Sequence, residues 1–284
     1  NRIRGDSGLT YDLEVLRGID ELRQKGLYVG NIVITLYDNQ PSAKKFAEKL
    51  KQLGENVYIH TFTKGYPSDI KTIVSDEGYG ANPYIKTSRP IVLVTAPGAC
   101  SGKLATCLSQ LYHEHKRGVQ VGYAKYETFP IWNLPVKHPV NVAYEAATAD
   151  INDVNMIDPY YLESTGKVAV NYNRDIAVYL ILKEILTQIT GKDNVYNSPT
   201  AMGVNMAGFA ITDDAVCVEA SRQEIIRRYF RYLVESKKGQ NSIETANRVK
   251  VLMNELKIDI SERDRKSTRL NSSHEFVSRM PSSA

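Results

Sequence analysis

The residues whose types and spacing most readily suggest chemistry lie in Val94-Thr95-Ala96-Pro97-Gly98-Ala99-Cys100-Ser101-Gly102-Lys103. Glycines in a turn that runs into a helix let successive backbone N–H groups converge on an anion. The helix N-terminus adds partial positive charge and a lysine adds a full one. That chemistry is phosphate binding, with Gly98, Ser101, Gly102, Lys103 and Thr106 as candidate contacts and ATP or another nucleotide with Mg²⁺ as the expected ligand. The spacing departs from a Walker A loop, which has four residues between its glycines and a Ser or Thr after the lysine to hold magnesium. Here three residues separate Gly98 from Gly102, and Leu104 follows Lys103, so the nearest hydroxyls belong to Ser101 and Thr106. A tight strand-to-helix turn with a solvent-facing lysine accounts for the same residues, and the sequence leaves both readings open.

Three further residues are catalytic candidates. Cys100 stands near a helix N-terminus, which lowers a thiol pKa and favours a nucleophile, although with no histidine within reach in the sequence a small buried thiol or loop filler is the stronger account. Asp76 and Glu77 precede Gly78 and Gly80 at an expected strand end, where they could hold magnesium or act as a base; a solvated acidic turn is the plainer account. Zinc peptidase chemistry needs His-Glu-x-x-His, with both histidines on one helix face. His113-Glu114-His115 puts them on nearly opposite sides, so no metal site is expected there. Asp150, Asp153, Asn155 and Asp158 lack calcium-loop spacing and suit caps and turns. Asn171, Asn173 and Arg174 could contact a polar substrate, with Asn173 as a helix N-cap the simpler account, and Thr200, Gly203 and Asn205 form a polar, glycine-containing loop that could touch a ligand.

The elements that must position these residues follow from periodicity and punctuation. Helices are expected from Thr10 to Gly26, from Pro41 to Leu53, and from the phosphate-loop-like turn to Gly118. Strands are expected at Ile32–Leu36, Val57–Ile59, Ile73–Val74 and, most strongly, Ile91–Val94. Alternating strands and helices call for a mainly parallel sheet with helices on both faces and a ligand edge at the carboxyl ends of the strands. After Pro130, Pro135 and Pro139 the chain turns mostly helical, over Val142–Ala149, Ile176–Ile189, Gln223–Val234 and Ile243–Leu256, the last opened by an Asn241-x-x-Glu244 capping box. Ala177–Leu182 is apolar all round, as in a helix buried between neighbours. In Ile225–Arg231 the helical spacing separates arginines from aromatics, giving a solvated basic face rather than a nucleic-acid stripe.

At 284 residues with 42% apolar and 24% charged side chains, the composition is that of a soluble globular chain. No apolar run approaches the ~18–20 residues of a membrane helix. Cys100, Cys107 and Cys217 are too few and scattered for a disulfide framework or zinc ribbon, which points to a reducing cytoplasm. The chain opens at Asn1 without Met and reads as a fragment. Asp264–Ala284 is polar and aperiodic, and resembles the in-frame translation of a short-read sequencing adapter, so it is expected to be a non-native tail. The tail holds four of the basic and two of the acidic residues; without it 263 residues carry 32 basic against 30 acidic side chains. The expected organisation is residues 1–126 as an α/β domain with the phosphate-loop-like turn, 127–263 as a connection and mostly helical domain, and 264–284 as the tail.

Four stretches carry a resemblance to a bacterial family known as domain of unknown function 1846: Val74–Gly80, Ala105–Gly118, Phe129–Pro135 and Asn152–Pro159. The similarity covers Arg4–Ile260. It implies an α/β domain joined to a helical one, in a protein continuing beyond both ends of this chain. Some members are labelled ATP-dependent zinc peptidases, a label that the histidine spacing here does not support. The family loop reads Gly-Pro-Gly-Ser-Gly-Lys; this chain has Ala99 and Cys100 in place of the Pro and middle Gly, which removes a position that adopts positive φ easily. The expectation is a cytoplasmic protein that binds a nucleotide or other small phosphorylated ligand at Gly98–Lys103, as an enzyme of unknown reaction, with neither nucleic acid nor membrane as partner and a homo-oligomer compatible. The rival is a non-catalytic binding or assembly protein whose loop is only a structural turn.

Overall fold

The computed structural model describes residues 8–98, 101–191 and 195–262. Helix α1 (Tyr11–Gln24) leads to strand β1 (Ile32–Ile34), and helix α2 (Pro41–Gln52) crosses back to β2 (Val57–Ile59). Pro41 starts α2 at a position where its missing N–H costs nothing, and Ala47 and Leu50 face inward. β1 and β2 pair in parallel, Ile32 with Val57 through Ile34 with Ile59. Then come α3 (Ile70–Ile73), capped by Asp69 on the Thr72 N–H, and α4 (Lys103–Lys116). Beyond them lie β3 (Lys125–Tyr126), α5 (Pro139–Ala147), β4 (Asn155–Ile157), α6 (Pro159–Thr165), β5 (Val170–Tyr172), α7 (Asn173–Thr190), β6 (Gly203–Val204), α8 (Asp214–Lys237) and α9 (Ile243–Glu255).

The protein is a mixture of helix and sheet, broadly α/β, but the sheet differs from the one expected. Among the described residues the strands form three pairs: β1–β2 and β3–β6 parallel, β4–β5 antiparallel. Ile73 belongs to α3 and is fully buried there. Ile91–Val94 is not a strand: it forms no ladder, and Ile91 and Leu93 are exposed at 88% and 76%. A β-branched run becomes a strand only when another edge satisfies its backbone groups, and the described ladder of β1 is with β2.

Two cores organise the helices. One packs α5, α8 and α9 through Val142, Ile225, Ile226, Val249 and Met253; the other joins α3, α4 and α7 through Ile73, Leu108, Leu111, Tyr179 and Leu186, drawing on both sides of residue 126. α7 is not buried all round as its composition suggested. Its neighbours lie on one side, so Tyr179, Ile185 and Leu186 are buried while Val178, Leu180 and Ile181 face solvent. Two caps also move. Ser242, not Asn241, caps α9, accepting from the Glu244 N–H, while Asn241 accepts from the Ser242 N–H and the Thr245 hydroxyl. Tyr172 occupies the N-cap position of α7, and the Asn173 amide instead accepts from the Val154 N–H and donates to the Asn152 carbonyl, because β4 passes within reach.

Candidate functional site

The phosphate-loop-like turn is clamped between α1 and the end of β1. Thr35 donates its hydroxyl to the Ser101 carbonyl at 2.8 Å. Gly102 takes the left-handed conformation at φ 77° as the N-cap of α4, and a Cβ there would lie 2.9 Å from Thr35 Cβ. A Cβ on Gly98 would lie 2.6 Å from Cε1 of the Tyr11 ring. Gly102 is therefore required both by close approach and by its φ, whereas the atoms a Cβ on Gly98 would meet are the outer end of the Tyr11 side chain, which can swing away. Lys103 bends back over the turn and donates to the Gly98 carbonyl at 3.2 Å. Ser101 Oγ is buried with no hydrogen-bond partner, and Thr106 is buried on the packed face of α4. Ala99 and Cys100 lie outside the described residues, so the nucleophile assigned to Cys100 does too.

The Thr35 tie places this turn beside an open cleft of about 540 Å³ at the carboxyl ends of β1 and β2. Leu36, Tyr37, Asp38 and Asn39 line it from the segment after β1, and Thr61 and Phe62 from the segment after β2. Leu36 and Asn39 both have positive φ, 52° and 54°, and such a conformation is costly for a leucine. Phe62 is exposed, so the cleft offers aromatic and aliphatic surface beside the Asp38 carboxylate. This is the edge that strand order predicts for a ligand, built from one parallel pair rather than a wide sheet.

Asp76 and Glu77 do not reach the turn. Asp76 accepts from Lys116 and from the Tyr112 hydroxyl, which hold its carboxyl below the usual range. Lys116 ends α4 whereas Lys103 begins it, and 14 helical residues span about 20 Å. Glu77 pairs with Lys64, whose hydrogen bond likewise lowers its pKa. Asp76 therefore belongs to the opposite end of α4 from the turn. Cys107 is unpaired, and burial pushes its thiol up to about 11. His113 Nε2 lies 2.6 Å from the Asn82 carbonyl, and burial lowers the pKa of His60. Among the described residues no group of three or more His, Cys, Asp or Glu gathers as a metal site. Of the acidic run, Asp158 caps α6, while fully buried Asp153 is gripped by Arg174 and accepts from the Tyr144 hydroxyl at 3.2 Å.

Sequence reasoning missed a buried polar centre. Lys125 donates to Glu127 and to Asp175, each at 2.5 Å, and to the Tyr172 hydroxyl. Tyr172 in turn donates to Glu127 at 3.3 Å. Burial raises the Glu127 carboxyl against the opposing effect of the Lys125 charge. The local signal was the alternation Lys125-Tyr126-Glu127, which puts both ions on one side of a strand. Their partners lie far along the chain, 45 positions from Glu127 to Tyr172 and 50 from Lys125 to Asp175, beyond any local pattern.

Fold and cleft together describe a mixed α/β protein with an open cleft after β1 and β2, near a glycine–lysine turn. The chain belongs to the family described as "Domain of unknown function DUF1846, N-terminal", whose model matches residues 1–257. It is 60% identical over 266 residues to a UPF0371 protein of Fusobacterium nucleatum, covering 94% of this chain and 52% of that protein. It is 59% identical to a UPF0371 protein of Clostridium botulinum (strain ATCC 19397 / Type A), with 94% and 53% coverage. The chain thus spans about half the length of these curated relatives.

Proposed function

We propose that this chain binds the phosphate of a nucleotide or related phosphorylated ligand at Gly98, Ser101, Gly102 and Lys103, with the remainder of the ligand in the carboxyl-edge cleft. The observation that carries this reading is the Thr35–Ser101 tie, because Thr35 directly precedes Leu36, the first of the residues that line the cleft. Lys103 would exchange the Gly98 carbonyl for phosphate oxygen, and Ser101 Oγ is buried without a protein partner. The exposed Phe62 ring suits a planar base. Asp38 is the carboxylate that lines the cleft and would hold magnesium there, in place of Asp76 or Glu77. In the complete protein we assign this site to an enzyme of a reaction still to be determined. Among the described residues Cys107 and Cys217 are free, which supports a reducing, cytoplasmic setting, and no helix is long and apolar enough to cross a membrane.

One observation favours the rival, a structural turn in a non-catalytic protein: Lys103 already staples the turn through Gly98. Titration of the chain with ATP, with and without Mg²⁺, against the Lys103→Ala variant separates the two. The phosphate reading expects affinity to fall by about tenfold or more when one charge-assisted contact is lost. Equal affinity of the two proteins, or no binding of ATP to either, selects the structural turn.

A further inference from the structure

The Lys125 centre has an imbalance between donors and acceptors. Lysine offers three N–H donors, and here they go to Glu127 Oε1, Asp175 Oδ2 and the Tyr172 hydroxyl. The single Tyr172 O–H goes to Glu127 Oε1 as well. Every donor of the group is therefore spent, and both donors to Glu127 fall on the same oxygen. Glu127 Oε2 and Asp175 Oδ1 have acceptor capacity left over. The charge count is also uneven, with two carboxylates sharing one ammonium.

A second, independent observation comes from the neighbouring strand. The β3–β6 register pairs Lys125 with Gly203 and Tyr126 with Val204, and the Glu127 N–H continues the ladder to the Val204 carbonyl. Asn205 is therefore the next residue alongside Glu127, on the same face of the ribbon. It is 7% exposed, its Nδ2 donates to the Pro130 carbonyl at 2.8 Å, and its Oδ1 is buried with no partner. The carbonyl contact fixes which end of the amide is nitrogen, so the orphan is an acceptor, and leaving it unmatched in the interior is costly. The side chains of Lys125 and Asp175 are 34% and 19% exposed, so the centre opens to solvent on that side.

We infer that Glu127, Asp175 and Asn205 form a binding site for a small primary amine, whose ammonium brings the donors and the positive charge that Lys125 and Tyr172 leave unsupplied. An ammonium carries only donors, whereas a hydroxyl brings further acceptors to an acceptor-rich place, and an anion would meet two carboxylates. The site is separate from the phosphate-loop turn and does not rest on it.

The test is calorimetric titration of the full chain with ethanolamine and with 1,4-diaminobutane at constant ionic strength, with glycerol and sodium acetate as controls. Saturable amine binding is expected, weakened about tenfold or more in Glu127→Gln and in Asp175→Asn, as loss of a charged acceptor implies. The Lys103→Ala variant should bind amine as the wild type does, so failure of the phosphate reading leaves this result intact. Because Glu127→Gln could unfold, the wild-type Asn205 side-chain amide resonances provide a second readout, and they should shift on addition of amine and not of glycerol. Absence of saturable amine binding, equal binding of glycerol, unchanged affinity in both folded variants, or an unmoved Asn205 amide would overturn the assignment.

Discussion

Helix α4 is bounded by two glycines of nearly identical backbone conformation, Gly102 before its first turn at φ 77° and Gly118 after its last at φ 78°. Alanine at either must adopt the left-handed region, at a cost of about 1–2 kcal/mol. Alanine also restricts the unfolded chain in the same way at both sites, so that effect cancels in the comparison. The surroundings differ. A Cβ at Gly118 meets nothing within 4 Å, whereas one at Gly102 comes within 2.9 Å of Thr35 Cβ and 3.1 Å of its Oγ1. Relief requires Thr35 to move, which sacrifices its hydrogen bond to the Ser101 carbonyl, worth about 1 kcal/mol. Local overpacking adds about 1–3 kcal/mol. Gly118→Ala should therefore lose about 1–2 kcal/mol and Gly102→Ala about 3–6 kcal/mol, measured from urea midpoints at unchanged slope. On the proposed function, Gly102→Ala should also weaken ATP binding while Gly118→Ala leaves it intact. Equal midpoints for the two variants would refute the claim that the turn is clamped against β1.

Asp76→Asn and Glu77→Gln should leave ATP affinity unchanged, whereas Asp38→Asn should reduce only its Mg²⁺-dependent part; titrations with and without the metal check both. Glu224 receives Arg227 on both oxygens and Arg228 on one, each at 2.6 Å; burial works to raise its pKa, but the arginine hydrogen bonds and charges leave it below the ordinary 4.5. A lowered folded-state value stabilises above the unfolded pKa and is lost as pH falls through the folded one. The stability difference between wild type and Glu224→Gln, about 1 kcal/mol or less for a partly exposed network, should be level near neutrality and shrink below about pH 4.5; a difference that grows on acidification contradicts it. With its thiol pushed up to about 11, Cys107 should alkylate far more slowly at pH 8 in the native protein than in urea, followed site by site by mass spectrometry. Similar rates in the two states would show that the thiol is not protected.

Much of the helical framework was legible because its signals act within one or two turns. Pro41 at the start of α2, Gly26 and Gly118 after α1 and α4, and the inward spacing of Leu108 and Leu111 need no knowledge of distant residues. The phosphate-loop-like turn was legible for the same reason, since its glycines, serine and lysine are contiguous. The strands were less so: Val57–Ile59 and Ile91–Val94 are both short β-branched runs, yet only the former found an edge.

By itself, the sequence determined the family, most of the longer helices and the chemical character of the Gly98–Lys103 segment, but not α3 or α6. Only the tertiary structure decided that Asp76 sits at the far end of α4, that Asp38 and Phe62 line one cleft, and that Lys125, Glu127, Tyr172 and Asp175 meet. The physical reason is range. Propensities, caps and glycine conformations are local energies, whereas ladders and buried ion groups exist only when distant segments exclude water together, and which segments meet is settled by the packing of the whole chain.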